Sequence, residues 1–345
     1  MIHNSDKFIN PAQVGGVQQY LFDNGSSRGA RVMEVNTGAG LRYRVLVDRG
    51  LDIDQAFMNE QSLTFLSHRG PTRGSKAYDQ GLDWLKSFPG GLLTSCGPFN
   101  TGAPAQDAGV AWPLHGEHSN TPAEIESIIQ PNPRARQYEM SITGIIRYGA
   151  FYGPNLELRR VIRSRLGEPV IEVEDVFTNV GNHPVEHAWL LHVNFGYPLL
   201  DEGTEFVCRI QGHTPRQDPS SQAYFKNLDD GRFFPAPSDE QAGDEHVFRY
   251  VQAQSEPDGQ VRCGLWNAKR GWGIVLTYVA EQFPRLGQWM HWGKHEYVAA
   301  WEPMTAGVEG RDKDRSRGWL RVIAPGQQQS YCYSIRVVNQ RNQIL

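Results

Sequence analysis

The sequence predicts an all-β layered architecture with few short helices, on three observations. Several segments alternate apolar and polar residues with the two-residue period of a half-buried strand. The 36 glycines and 21 prolines are spread along the 345 residues rather than gathered in one linker, as many short strands joined by turns require. Apolar spacing of three to four residues, the mark of an amphipathic helix, is scarce. With no composition break and no internal repeat, residues 1–345 read as one domain.

In chain order, residues 41–47 carry Leu41, Tyr43, Val45 and Val47 on one face of a strand. Residues 77–88 have Tyr78, Leu82 and Leu85 at helical spacing, and Pro89-Gly90-Gly91 stops the run, so a short helix is predicted there. In residues 171–177, apolar Ile171, Val173 and Phe177 oppose Glu172 and Glu174. Residues 189–195 are apolar enough for a buried strand, ending at Gly196-Tyr197-Pro198. The polar stretch 214–260, rich in Pro, Asp and Gln, reads as loops over the sheets with one strand at 246–252. Near the C-terminus, residues 319–323 enter a turn at Ala324-Pro325-Gly326-Gln327. Residues 331–337 then return with Tyr331, Tyr333, Ile335 and Val337 on one face, the pattern of a hairpin.

Bulk properties narrow the function. The net charge of -4 and the lack of any Lys/Arg stripe argue against nucleic acid or anionic lipid as partner. No apolar run reaches 18 residues and the N-terminus carries no signal peptide, so a soluble, cytoplasmic protein is expected, with no membrane partner. Cys96, Cys208, Cys263 and Cys332 are far apart and form no Cys-x-x-Cys pair, which excludes the usual structural zinc patterns and a disulfide framework. The Gly90–Gly97 stretch has neither the spacing of a phosphate loop nor the strand–helix setting of a dinucleotide fold. No cofactor and no metal are expected, and oligomeric state is left open.

Three residues in distinctive settings carry the chemistry: His115 in Pro113-Leu114-His115-Gly116, His192 in Leu191-His192-Val193-Asn194, and Glu302 in Trp301-Glu302-Pro303. A histidine among apolar neighbours loses hydration and its pKa moves down. A carboxylate at the end of an apolar strand moves up, toward the range of a neutral-pH base. Glu309 is the alternative base. Arg49 and Asp52 form a polar cluster suited to adjacent sugar hydroxyls, or equally a brace for a turn. Asn194 and Trp292 are further candidate sugar contacts. Trp112, Trp289, Trp301 and Phe99 offer more stacking surface, although most aromatics are simply core. His115 with His118, or His183, His187 and His192 with a carboxylate, have the residue types of a metal site. The second set would need a helix or bulge to converge in sequence that is strand-like.

Together these residues resemble the aldose 1-epimerase (galactose mutarotase-like) superfamily, in a little-characterised bacterial branch. The resemblance runs over most of the chain. It rests on Asp48-Arg49-Gly50-Leu51-Asp52-Ile53, Pro89 to Gly97, Leu114-His115-Gly116, the His192 strand, Trp301-Glu302-Pro303 and the Pro325-Gly326 turn. It implies one β-supersandwich with a sugar site on its concave face, with His192 as general acid, Glu302 as general base and His115 assisting. Glu117 stands where the mutarotase motif has a second glycine, and Val193-Asn194-Phe195 departs from its strand pattern. Asp218 is the candidate for the sugar-binding aspartate. The resemblance implies a small-molecule sugar substrate and interconversion of its α and β anomers. A non-catalytic sugar-binding protein, and a lyase or isomerase acting on an oxidised sugar, are the alternatives.

Overall fold

The computed structural model describes residues 5–239 and 246–345, and among them antiparallel sheet dominates. A five-stranded meander comes first, running Gly16–Leu21, Arg31–Asn36, Leu41–Leu46, Asp52–Met58 and Gln61–Ser62. An eight-stranded sheet is built mainly from the middle and end of the chain. Its central strands are Trp272–Val279, Gln328–Val338, Val170–Asn179 and Asn155–Arg165. The six-stranded sheet orders Ile210–Pro215, Val247–Ala253, Arg285–Gly293, Glu296–Met304, Leu190–Phe195 and Thr94–Cys96.

The two-residue period sorts the six-stranded sheet into two apolar layers. Leu191, Val193, Phe195, Met290, Ala299 and Trp301 join the main core, together with Ile171, Val173, Phe177 and Ile335 of the eight-stranded sheet. Their neighbours Leu190, Phe248 and Met304 face the other way and pack with Trp84 and Cys96 in a second, smaller cluster. Polar groups on that second face therefore lie outside the main core yet remain shielded from water.

A buried ionic network ties three sheets together. Arg160 donates to Asp175 in its own sheet (2.7 and 2.9 Å), to Asp52 of the meander (3.0 Å) and to Ser95 of the six-stranded sheet (2.8 Å). All three charged side chains are buried, so each depends on the others for solvation. Asp175 lies on the inward face of its strand among the apolar positions read from the sequence.

Two expected elements differ. Residues 77–88 form two separate 3-10 turns, Lys76–Tyr78 and Asp83–Lys86. Gly81 adopts a left-handed φ of 48° between them, and Leu82 and Leu85 are exposed while Trp84 is buried. The turn at residues 324–327 is present, with the Gln327 N–H bonded to Ala324 O at 2.9 Å. Its flanking strands, however, go to different partners. Arg321–Ile323 pairs with Val185–His187, whereas Gln328–Val338 sits between Val170–Asn179 and Trp272–Val279. The apolar face of the longer strand is buried best at the centre of the large sheet. The strand expected at 246–252 is seen as Val247–Ala253, and the short helix Pro219–Tyr224 in the same polar stretch was not anticipated.

Candidate active site

Strand pairing sets His192 and Glu302 face to face. The antiparallel register runs Leu190↔Met304 and Val193↔Trp301, which places His192 opposite Glu302 on the face away from the main core. Imidazole Nε2 and carboxylate Oε1 are 3.3 Å apart, and both side chains are almost wholly buried. Burial pushes the Glu302 carboxyl up to about 8, opposed only in part by the positive charge of Arg216. Burial pulls His192 down to about 4. Between those values the pair holds a single proton, which rests on Glu302. The His192 Nδ1 is buried and has no hydrogen-bond partner among the described residues.

His115 comes to the same place from a loop. Its ring lies 5.8 Å from that of His192 and 4.5 Å from Trp84. The residue has a left-handed φ of 58°, held by hydrogen bonds from its N–H to Gly102 O and from the Gly97 N–H to its carbonyl, both 2.9 Å. Its Nδ1 accepts from the Gly102 N–H at 3.3 Å. Burial holds its pKa well below the ordinary value, so the ring is neutral and Nε2 carries the proton. His115 is thus a preset donor. Phe88, 6.0 Å from His192 and stacked on Trp84, and Trp289, 5.3 Å from His192, complete an aromatic surround.

The same face continues to Arg216 and His246. Arg216 Nη1 is 2.8 Å from His246 Nε2, and its Nε donates to Asp218 at 2.6 Å. His246 in turn lies 5.8 Å from Trp289. Asp218 also accepts the Ser221 N–H at 2.8 Å, capping the helix Pro219–Tyr224. Arg216, His246, Trp84 and Phe88 escaped sequence reasoning. Arg216 lies in the polar stretch 214–260 read as loops and His246 opens the strand expected at 246–252, and no sustained alternation there marked which face either side chain takes.

Other candidates lie elsewhere. Arg49 is buried, with Nη1 3.4 Å from Thr72 and Asn120 oxygens and Nη2 without a partner among the described residues. Asp52 is committed to Arg160 and to the Ser95 N–H at 3.1 Å. None of these contacts reaches His115, His192 or Glu302, and the brace reading fits Asp52 better than sugar contact. Asn194 shares the site face, but its amide donates to the His192 carbonyl at 3.0 Å. Trp292 points to the main core and packs on Tyr224 at 5.0 Å, so Trp289 rather than Trp292 flanks His192. Trp301 is core too, its indole N–H bonded to Gly264 O at 3.0 Å. Phe99 and Trp112 pair with each other at 5.9 Å.

Glu309 is ion-paired with Arg317 at 2.5 Å and lines a separate cavity of about 480 Å³ with Tyr250, Arg285 and Trp319. Glu302, not Glu309, adjoins the histidines. His187 sits in the main core 4.4 Å from Phe177, His183 is exposed, and His118 bonds Tyr148 at 2.5 Å, so neither histidine set converges. Among the described residues no helix is long and apolar enough to cross a membrane.

Residues 27–337 match the family described as "Domain of unknown function (DUF4432)", and the chain belongs to that family. No curated protein matches the sequence. Among solved structures, a candidate aldose 1-epimerase from Klebsiella pneumoniae subsp. pneumoniae is similar with a TM-score of 0.85. It is 20% identical, and the match covers 95% of this chain and 84% of that one. A galactose mutarotase-like protein from Clostridium acetobutylicum matches at TM-score 0.66 and 11% identity, over 95% of this chain and 100% of that one. A galactose 1-epimerase from Lactobacillus acidophilus matches at 0.58 and 10%, over 94% and 99%. At these identities the likeness establishes the fold, the galactose mutarotase-like β-sandwich.

Proposed function

We propose that this member of the DUF4432 family interconverts the α and β anomers of a monosaccharide or close derivative by acid–base ring opening. The observation that carries the reading is the buried His192–Glu302 pair, 3.3 Å apart with His115 beside it. Opening a cyclic hemiacetal removes the proton of the anomeric hydroxyl and delivers one to the ring oxygen as the C1–O bond breaks. One group must be a base while its neighbour is an acid.

A pair holding one proton meets that requirement. In the resting protein the proton is on Glu302, and transfer across the 3.3 Å gap gives the carboxylate–imidazolium state. In that state Glu302 takes the hydroxyl proton and His192 protonates the ring oxygen. After rotation about C1–C2, closure from the other face runs the transfers in reverse. The Nε2–H of His115 would hydrogen-bond the ring oxygen or an adjacent hydroxyl. Trp289 and Phe88 keep water from the pair and offer apolar faces to sugar C–H groups.

The test follows optical rotation after dissolving pure α anomers of a panel of monosaccharides and their derivatives. Acceleration of at least one sugar, abolished by His192→Gln, is expected. Rates equal to the buffer blank for every sugar would refute the reading, and saturable binding without acceleration would make the protein a sugar sensor on the same fold.

A further inference from the structure

We infer, on the basis of the ring-opening reading, that the substrate is an aldose with an anionic group, carboxylate or phosphate, at the end remote from its anomeric carbon, bound by Arg216 and His246.

The argument starts from the layout of the site face. Phe248 pairs with Trp289, and the Arg216 N–H bonds Phe248 O at 3.0 Å, so Trp289, Phe248 and Arg216 form one row across three strands. Glu302 lies on the next strand beyond Trp289, paired with Gly287. At about 4.8 Å per strand over three steps, with a two-residue offset of about 3.3 Å per residue along the strands, the backbones of Glu302 and Arg216 are about 16 Å apart. A long arginine reaching inward and one monosaccharide with a terminal substituent together fill that span. Trp289 lies between, 5.3 Å from His192 and 5.8 Å from His246.

The donor set then selects the substituent. A guanidinium only donates, so His246 must accept Arg216 Nη1 at its Nε2, and its own proton is on Nδ1. Burial pulls the His246 pKa down to about 4, which keeps that ring neutral. Arg216 Nε is held by Asp218, leaving Nη2 without a protein partner among the described residues. Both Asp218 oxygens are already used, one by Arg216 and the other by the Ser221 N–H.

The far end of the face therefore presents two donors, Arg216 Nη2 and the His246 Nδ1–H, and both oxygens of Asp218, the one acceptor group beside them, already hold a protein hydrogen bond. A single hydroxyl oxygen engages these donors less fully than a group with two or three acceptor oxygens. A carboxylate or phosphate only accepts, and pairs best with a preoriented guanidinium. Glu302 in its protonated form adds no opposing charge to the face.

The experiment measures anomer exchange by NMR for glucose, galactose, their uronic acids and their 6-phosphates. The full chain is used as wild type, Arg216→Gln and Arg216→Lys, each checked for folding by circular dichroism. We expect kcat/KM at least tenfold higher for one anionic class than for the neutral sugars. Arg216→Gln should raise KM for that class about tenfold or more, change kcat/KM for neutral sugars by a clearly smaller factor, and be partly rescued by Arg216→Lys. The preferred class distinguishes carboxylate from phosphate. Neutral sugars exchanged as well as anionic ones, with Arg216→Gln affecting all alike, would overturn the inference and leave ring opening standing. Exchange of no sugar would overturn the ring-opening reading, and this inference with it.

Discussion

Desolvation acts on Glu302 and His192 in opposite senses, because one is charged when it loses its proton and the other when it gains one. The folded carboxyl binds its proton more tightly than the unfolded one. Its contribution to stability is present below the ordinary value of 4.5 and is lost as pH rises through about 8. His192, depressed to about 4, loses stability as pH falls from its ordinary 6.5. Glu302→Gln should therefore stabilise the fold increasingly from pH 5 to 8, by on the order of 3 kcal/mol at the upper end. Urea midpoints across that range measure it, and a parallel pH dependence in wild type and variant would contradict the buried, protonated carboxyl. The sequence made these two residues legible because each sits in an apolar strand where a charge is out of place. It did not make Arg216 or His246 legible, since a polar residue in a polar stretch looks the same on a loop and on a sheet edge.

At the scale of elements, the loop that carries His115 depends on close backbone approach. A Cβ on Gly102, at φ 67°, would collide with the backbone of Val308, whereas a Cβ on Gly109, at φ 80°, would meet nothing. Gly102 also exchanges hydrogen bonds with both the N–H and the ring of His115. Gly102→Ala should cost on the order of 2–3 kcal/mol and impair anomer exchange. Gly109→Ala should cost only about 1 kcal/mol and leave activity intact. Equal thermal shifts for the two would show that the close approach is not needed. Such packing depends on where a distant segment passes, and no local pattern near Gly102 reveals it. The 319–337 region teaches the same lesson: alternation named both strands and the turn, but partner choice was settled by burial within the large sheet.

For the whole molecule, the Arg160 network is what joins the meander, the eight-stranded and the six-stranded sheets beneath the site. Arg160→Met would leave Asp52 and Asp175 buried without their cation, at a cost of about 3–5 kcal/mol. Because the network spans all three sheets, we propose that the chain unfolds as one unit. Calorimetry should show a single transition that moves as a whole in this variant, and two separable transitions would contradict it. The all-β layering was legible from strand rhythm and scattered turn residues and the sandwich from the family resemblance, while the cross-sheet charges were not, since Asp175 sits within an otherwise ordinary alternating strand. All of these scales serve one claim, that the proton shared by His192 and Glu302 opens a sugar ring. The most direct measurement is the pH profile of kcat/KM for anomer exchange, by two-dimensional NMR on a sugar the wild type accepts, beside Glu302→Gln. The account predicts a bell with limbs near pH 4 and pH 8 and a loss of about 10²–10⁴-fold in the variant. A flat profile, or a variant as fast as wild type, would contradict it.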